Sequence, residues 1–321
     1  MKAIYLTAYG NPAQSLKLLE VPEPPAPAKG EALVRMEYAP IAYSDLLLAN
    51  GVYFLHPKLP SVIGGEGAGI VEAIGRGVTS VKKGDRVTIP FKTFAWAEKV
   101  LAPAEGLFVV PKSIDAKTAS MLNINPTTAV LLLDEFVKLK RKDWIILNAA
   151  GSQVARCLIA VAKSLDLNVI GTVRGPELVA EIKKLGADFV GVESPELPEL
   201  IQIATGGSPI TLGLDAVGGP STATITSVLA PEAHLVSYAW LSLAPIHLPQ
   251  GDLIGKRLRI HGFWMYYEEF LPKMRAAQTR AAEVLASGRL TLPVTETYKL
   301  SQIREAVEHS QRGGKILLDL N

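Results

Sequence analysis

An apolar run, DWIIL, leads into NAAGSQVA (Asn148 to Ala155), and an amphipathic stretch, SQVARCLIAVAKSL, begins inside that turn. A strand that turns directly into a helix presents the first N–H groups of the helix, and these groups, with the positive end of the helix dipole, attract phosphate oxygens. Gly151, Ser152, Gln153 and Val154 are therefore candidates to hold a pyrophosphate. The glycine pattern is sparse, because Gln153 and Ala155 stand at positions often held by Gly and only Gly151 remains. Ala155 is small enough for close helix packing, and the Gln153 amide can donate to a phosphate oxygen. The same residues also read as an ordinary strand-to-helix turn.

The next β-branched run, LNVIGTV, ends at Arg174. A site built for NAD places Asp or Glu at this strand tip, about 20 residues beyond the turn, to accept from the ribose hydroxyls. Arg174 instead offers a planar, permanently charged fork suited to an adenosine 2′-phosphate, which points to NADPH. A solvated surface arginine is the alternative. Other chemistries find little support. His56, His234, His247, His261 and His309 include no pair at the spacing of three to five residues typical of metal sites. The single cysteine, Cys157, lies on an apolar helical face and excludes both an internal disulfide and a zinc site needing two thiolates. No Gly-x-Ser-x-Gly elbow is present, so hydrolase readings fail.

These residues need a parallel α/β sheet to place them. Strands are expected at DWIILNAA, LNVIGTV, DFVGV, ITLGLDAV, HLVSYAW and LRIHGFW, separated by helical stretches long enough to cross over the sheet. Six such strands fit a doubly wound dinucleotide fold. The first hundred or so residues are short apolar stretches broken by Gly and Pro, as in a mostly β region. The chain has 321 residues, which suggests two domains. The expected division is 1–120 with 265–321 for the β domain, the tail KILLDLN returning to it, and 121–264 for the cofactor domain. A net charge of +2 without blocks of Lys or Arg gives no reason to expect a nucleic-acid partner. No apolar run reaches membrane-spanning length, and MKAIYLTAYG reads as a strand rather than a signal peptide, so a cytoplasmic location is expected.

The stretch from Pro60 to Ile89, PSVIGGEGAGIVEAIGRGVTSVKKGDRVTI, resembles the signature of the medium-chain dehydrogenase/reductase superfamily. Zinc-binding members carry ligands at positions that correspond here to Ala42, Gly65 and, approximately, Asn125, none suited to zinc. Glu66 remains beside the second of these and reads as a structural hydrogen-bonding residue. The zinc-free members that the chain resembles are 2-enoyl thioester reductases and quinone reductases. SDLLLANGVYFLHPKLP is similar to the thioester-reductase stretch that carries a catalytic tyrosine, here Tyr53. NINPTTAVLLL resembles that family's Asn-Pro-x-Thr-Ala segment, whose Asn contacts the cofactor, here Asn125. HGFWMYYEEF resembles its Gly-Phe-Trp segment and places an active-site tryptophan at Trp264, flanked by Phe263 and Met265 on the cofactor side. The family's degenerate turn is similar to Asn148 to Val154, its strand tip to Thr172 to Arg174, and its nicotinamide-side segment to Tyr238, Ala239, Trp240 and Leu241. GGKILLDL is similar to a terminal segment with a cofactor-contacting lysine, here Lys315. The departures are Ala155, Gly175 with Pro176, and the pair Ala239–Trp240, where the bulky Trp240 would narrow a site.

The resemblance implies a Rossmann cofactor domain, a GroES-like catalytic domain and hydride transfer from NADPH to an activated C=C bond. Tyr53 would support the enolate or deliver a proton, and Trp264 would wall the acyl pocket. The substrate would be a small acyl thioester or a quinone, with an NADPH-binding protein without turnover as a further alternative. A homodimer formed through an edge strand, HLVSYAW or LRIHGFW, is expected.

Overall fold

The computed structural model describes residues 1–321. The chain divides into two compact units, residues 1–124 with 291–321 and residues 125–290.

In the first unit the long strand Glu31–Pro40 alternates buried and partly exposed residues, as a sheet with one covered face requires. It pairs antiparallel with Ala68–Ile74, Lys99–Pro103 and the C-terminal strand Ile316–Asp319. The seven-stranded sheet around it is completed by Glu296–Lys299, Arg86–Thr88 and Phe108–Val109. Lys2–Leu6 forms a second, three-stranded sheet with Leu16–Glu20 and Ser61–Val62. The expected mostly β region is thus present, and the tail KILLDLN joins its sheet. Trp96 is fully buried and donates its Nε1–H to the Pro40 carbonyl at 3.2 Å.

The second unit is built on six parallel strands in the order Phe189–Val192, Asn168–Val173, Trp144–Leu147, Ile210–Asp215, His234–Ser237 and Arg259–Gly262. In chain order this is 3-2-1-4-5-6, the doubly wound arrangement, and each strand lies within the run expected for it. The central strands are apolar on both faces because helices cover both sides of a parallel sheet. The helix Gln153–Ser164 buries Ala155, Cys157, Leu158, Ile159, Val161 and Ala162.

The two compact units differ from the expected division in two places. Residues 265–290 belong to the second unit, not to the β domain. The helix Met274–Ala286 buries Ala277, Ala281, Ala282, Val284 and Leu285, and Arg280 holds both oxygens of Asp134 at 2.7–2.8 Å on the helix Asn125–Asp134. Its period announced an apolar face, but not which surface that face would meet. Residues 121–124 likewise remain with the first unit.

Gly64 has φ +107°, and a Cβ there would lie 2.3 Å from Trp96 Cδ1. Both the left-handed backbone and the buried indole oppose a side chain. Gly64→Ala is expected to lower stability by about 3 kcal/mol in denaturant unfolding, with an unchanged m-value.

Candidate active site

At the C-terminal end of the strand Trp144–Leu147 the chain enters the helix Gln153–Ser164 through a turn in which Ala149 takes φ +46°, unusual for a residue with a Cβ. Ser152 caps the helix, its Oγ accepting from the Ala155 N–H at 3.2 Å. The first-turn N–H groups, Val154 among them, have no acceptor within the helix. A Cβ at Gly151 would meet Leu178 Cδ1 at 3.0 Å, so the leucine tip would have to shift by a few tenths of an ångström.

The turn rests on a buried polar network that the sequence did not reveal. Asn148, fully buried, donates Nδ2–H to Asp215 Oδ1 at 2.7 Å and to Ser221 Oγ at 3.0 Å, and its Oδ1 accepts from the Ala216 N–H at 2.7 Å. Asp215 Oδ1 also accepts from the N–H groups of Val217 and Gly218 at 2.9 Å, and Oδ2 accepts from the Thr222 hydroxyl at 2.6 Å. Ser221 in turn donates to Glu193 Oε1 at 2.5 Å. The asparagine and the aspartate were visible at the ends of two apolar strands. Their pairing was not, because it joins residues 67 positions apart.

Arg174 stands one residue beyond the strand Asn168–Val173, exposed and with no carboxylate within ion-pairing distance. The loop from Tyr238 to Leu243 is tied to the segment after Asp215: the Leu241 and Ser242 N–H groups donate to Ala216 and Val217 carbonyls at 3.0 and 3.1 Å. Trp240 is 45% exposed and its indole N–H donates to the Ala244 carbonyl at 3.1 Å, so the ring is held within its own loop. Ala239 and Leu241 flank it. The Tyr238 hydroxyl is buried with no hydrogen-bond partner, and burial pushes its pKa well up, with the Asp215 charge adding to the rise. The unpaired guanidinium and the capped helix terminus are donors of the kind that suit a phosphorylated dinucleotide.

Trp264 is half-buried, with Tyr266 and Tyr267 edge-on to it at 5.5 and 5.6 Å. Phe263 and Met265, proposed beside it, are buried: Phe263 packs on Phe270 at 5.0 Å between ring centroids, and Met265 Sδ accepts from the Thr128 hydroxyl at 3.4 Å. Asn125 opens the helix Asn125–Asp134. Arg174, Asn148 to Val154 and Tyr238 to Leu241 all stand at C-terminal ends of strands in the second unit. In the first unit Tyr53 follows the helix Tyr43–Asn50, whose C-cap Gly51 has φ +78°; its ring packs against the core and against Phe54 at 4.9 Å.

The first unit also holds a charged cluster that sequence reasoning missed. Asp45 Oδ2 accepts from the Ala42 N–H and Oδ1 from the Gly65 N–H, both at 2.8 Å. Glu66 is fully buried, its Oε2 accepting from the Ile124 N–H at 2.9 Å, while Oε1 makes no hydrogen bond and lies 3.7 Å from Lys315 Nζ. Lys315 is itself buried, with 6% of its side chain exposed. Two of the positions that correspond to zinc ligands, Ala42 and Gly65, thus contribute only backbone N–H groups to this cluster. No group of three or more His, Cys, Asp or Glu side chains is arranged to hold a metal ion. Glu66 and Lys315 were each singled out in the sequence, but nothing there showed that they meet each other and Asp45.

Burial raises Glu66 to about 7 and Asp45 to about 6, against the lowering influence of Lys315 and of the backbone N–H groups. At pH values between those of the unfolded carboxyls and about 6 and about 7, Asp45 and Glu66 therefore hold protons when folded that the unfolded chain has released. Their contribution to stability is complete at acidic pH, below the unfolded values, and is lost as pH rises through about 6 and about 7. Between about pH 4.5 and 8, Glu66→Gln is expected to gain stability relative to the parent chain by roughly 2–3 kcal/mol at most, read from paired melts across that range.

Residues 28–112 match the alcohol dehydrogenase GroES-like domain family, and residues 154–279 match the zinc-binding dehydrogenase family. The mitochondrial enoyl-[acyl-carrier-protein] reductase of Dictyostelium discoideum is 33% identical over 99% of this chain and 95% of its own length. The same-named protein of Xenopus tropicalis is 33% identical over 94% of this chain and 90% of its own. Among solved structures, the mitochondrial 2-enoyl thioester reductase Etr1p/Etr2p heterodimer of Candida tropicalis is similar at TM-score 0.88, with 26% identity and 99% of each chain covered. The Etr1p complex with NADP and crotonyl-CoA has TM-score 0.87 at 26% identity over 99% of each chain. Escherichia coli quinone oxidoreductase complexed with NADPH has TM-score 0.88 at 26% identity, covering 99% of this chain and all of that one. With relatives this similar along nearly its whole length, and with a GroES-like unit beside a doubly wound one, the chain belongs to the medium-chain dehydrogenase/reductase superfamily, among the enoyl thioester and quinone reductases, and is an oxidoreductase.

Proposed function

We propose that this protein is a zinc-independent, NADPH-dependent reductase of 2-enoyl thioesters, carried on coenzyme A or acyl carrier protein. The observation that carries the reading is Arg174, an exposed guanidinium with no acidic partner at the strand tip where this fold receives the adenosine ribose. An acid there would select the unphosphorylated cofactor, and an unpaired arginine selects the phosphorylated one. The enoyl substrate is supported by the relatives named as enoyl reductases and by the likeness to a structure holding crotonyl-CoA.

Bound NADPH supplies the hydride. The residues of the chain do the rest. Gly151, Ser152, Gln153 and Val154 offer the turn for the pyrophosphate, Arg174 grips the 2′-phosphate, and Asn125, Lys315 and the segment Tyr238 to Leu241 contact the remainder, with Phe263 and Met265 packed behind. Tyr53 donates a hydrogen bond from its phenol to the thioester oxygen as negative charge develops there, or passes the proton required at the α carbon. Trp264 presents an apolar wall to the acyl chain. Self-pairing of the exposed edge strand Arg259–Gly262 in a second copy would give a homodimer.

A quinone acceptor is the second reading, favoured by the likeness to quinone oxidoreductase. NADPH oxidation followed with crotonyl-CoA and with a naphthoquinone separates the two, and faster turnover of the quinone overturns the first. Tyr53→Phe is expected to lower kcat on the thioester by at least about tenfold with KM little changed. Full activity of that variant would remove Tyr53 from the chemistry. Arg174→Leu is expected to weaken NADPH binding about ten- to a hundredfold, and NADH binding hardly at all, in fluorescence titration.

A further inference from the structure

The buried cluster of Asp45, Glu66 and Lys315 contains two carboxyl groups and one ammonium, so with all three ionised it carries an excess negative charge out of water. The two acids are not equivalent. Asp45 has an N–H donor on each oxygen. Glu66 has one on Oε2 only, and Oε1 faces Lys315 at 3.7 Å, close enough for attraction but without a hydrogen bond. Asp45, from the helix Tyr43–Asn50, and Lys315, next to the strand Ile316–Asp319, are the charged groups acting on Glu66; Ile124 provides the remaining contact. An acceptor oxygen with no donor, sharing a single cation with a second acid, is the group that an added negative charge would protonate first.

The geometry points to Glu66 as a positioning residue that couples cofactor binding to proton uptake. It serves as the counter-ion of Lys315 in the empty protein and becomes a neutral acid when Lys315 turns its charge to a cofactor phosphate. This rests on the reading of Lys315 as a cofactor contact. The balance is simple: one proton passes from solvent to Glu66 Oε1, Lys315 stays an ammonium, and Oε2 keeps its N–H donor. An incoming anion and an ionised Glu66 compete for one ammonium, so binding favours the protonated acid and weakens as pH rises through the range in which Glu66 loses its proton, about 7 in the free protein.

Calorimetric titration of the full chain with NADPH, in buffers of different ionisation enthalpy, measures the protons taken up. Near pH 7.5, about half a unit above the range where Glu66 titrates, wild type is expected to take up a fraction of a proton more than Glu66→Gln. Its affinity should also fall with pH by up to about tenfold per unit, a slope that the variant lacks. Comparing the two proteins with the same ligand cancels the protonation of the ligand's own phosphate. Lys315→Met provides the second arm: it should bind NADPH and NADH more weakly by similar factors and lose the extra uptake, which keeps the test open if Glu66→Gln fails to fold. Equal proton uptake by wild type and either folded variant overturns the coupling. Wild type that does not bind NADPH at all overturns the functional reading instead, so the two failures are distinguishable.

Discussion

The buried bond from Asn148 to Asp215 is the constraint on which the cofactor unit depends. It joins the ends of the strands Trp144–Leu147 and Ile210–Asp215, neighbours in the sheet at the point where the chain's winding changes direction. Ligands of doubly wound folds bind at that place because the loops on either side separate there. Two polar groups without exposure are tolerable only when almost every hydrogen-bonding position is used, and here Asn148 and Asp215 share donors and acceptors with Ala216, Val217, Gly218, Ser221 and Thr222. Loss of one member strands the others at a cost of about 1–3 kcal/mol for each unsatisfied group. The network therefore aligns the turn at Ala149 and the loop that carries Tyr238 to Leu243.

The first unit handles buried polarity differently. Its cluster of Asp45, Glu66 and Lys315 is charged and short of donors, with one carboxylate oxygen unserved. A satisfied network is rigid, whereas an unbalanced one responds to any further charge. The same contrast separates Glu66, one of whose oxygens has no donor, from the asparagine and aspartate that hold the sheet.

Legibility in the sequence varied with the range of the interaction. The six parallel strands, the strand-to-helix turn at Asn148 to Ala155 and Arg174 at a strand tip could all be read, because strand pattern and strand-to-helix turns are set by residues within a few positions of one another. The partner surface of the helix Met274–Ala286 was not legible, since an apolar stripe states that a helix packs but not on what. Phe263 and Met265, expected beside a cofactor, have buried side chains. Adjacency to Trp264 in sequence says nothing about which way alternate side chains point.

By itself, then, the sequence determined the class of fold, the order of elements and the charge carried at the tip of the strand Asn168–Val173, all consequences of local periodicity and residue type. Tertiary structure decided which polar groups would be paired. Asn148 with Asp215, and Glu66 with Lys315, are separated by 67 and 249 positions, and only chain closure brings them within reach. Burial then turns ordinary side chains into a rigid clamp in one unit and a titratable cluster in the other, because the energy of a polar group is set by the donors and solvent around it, not by its neighbours along the chain.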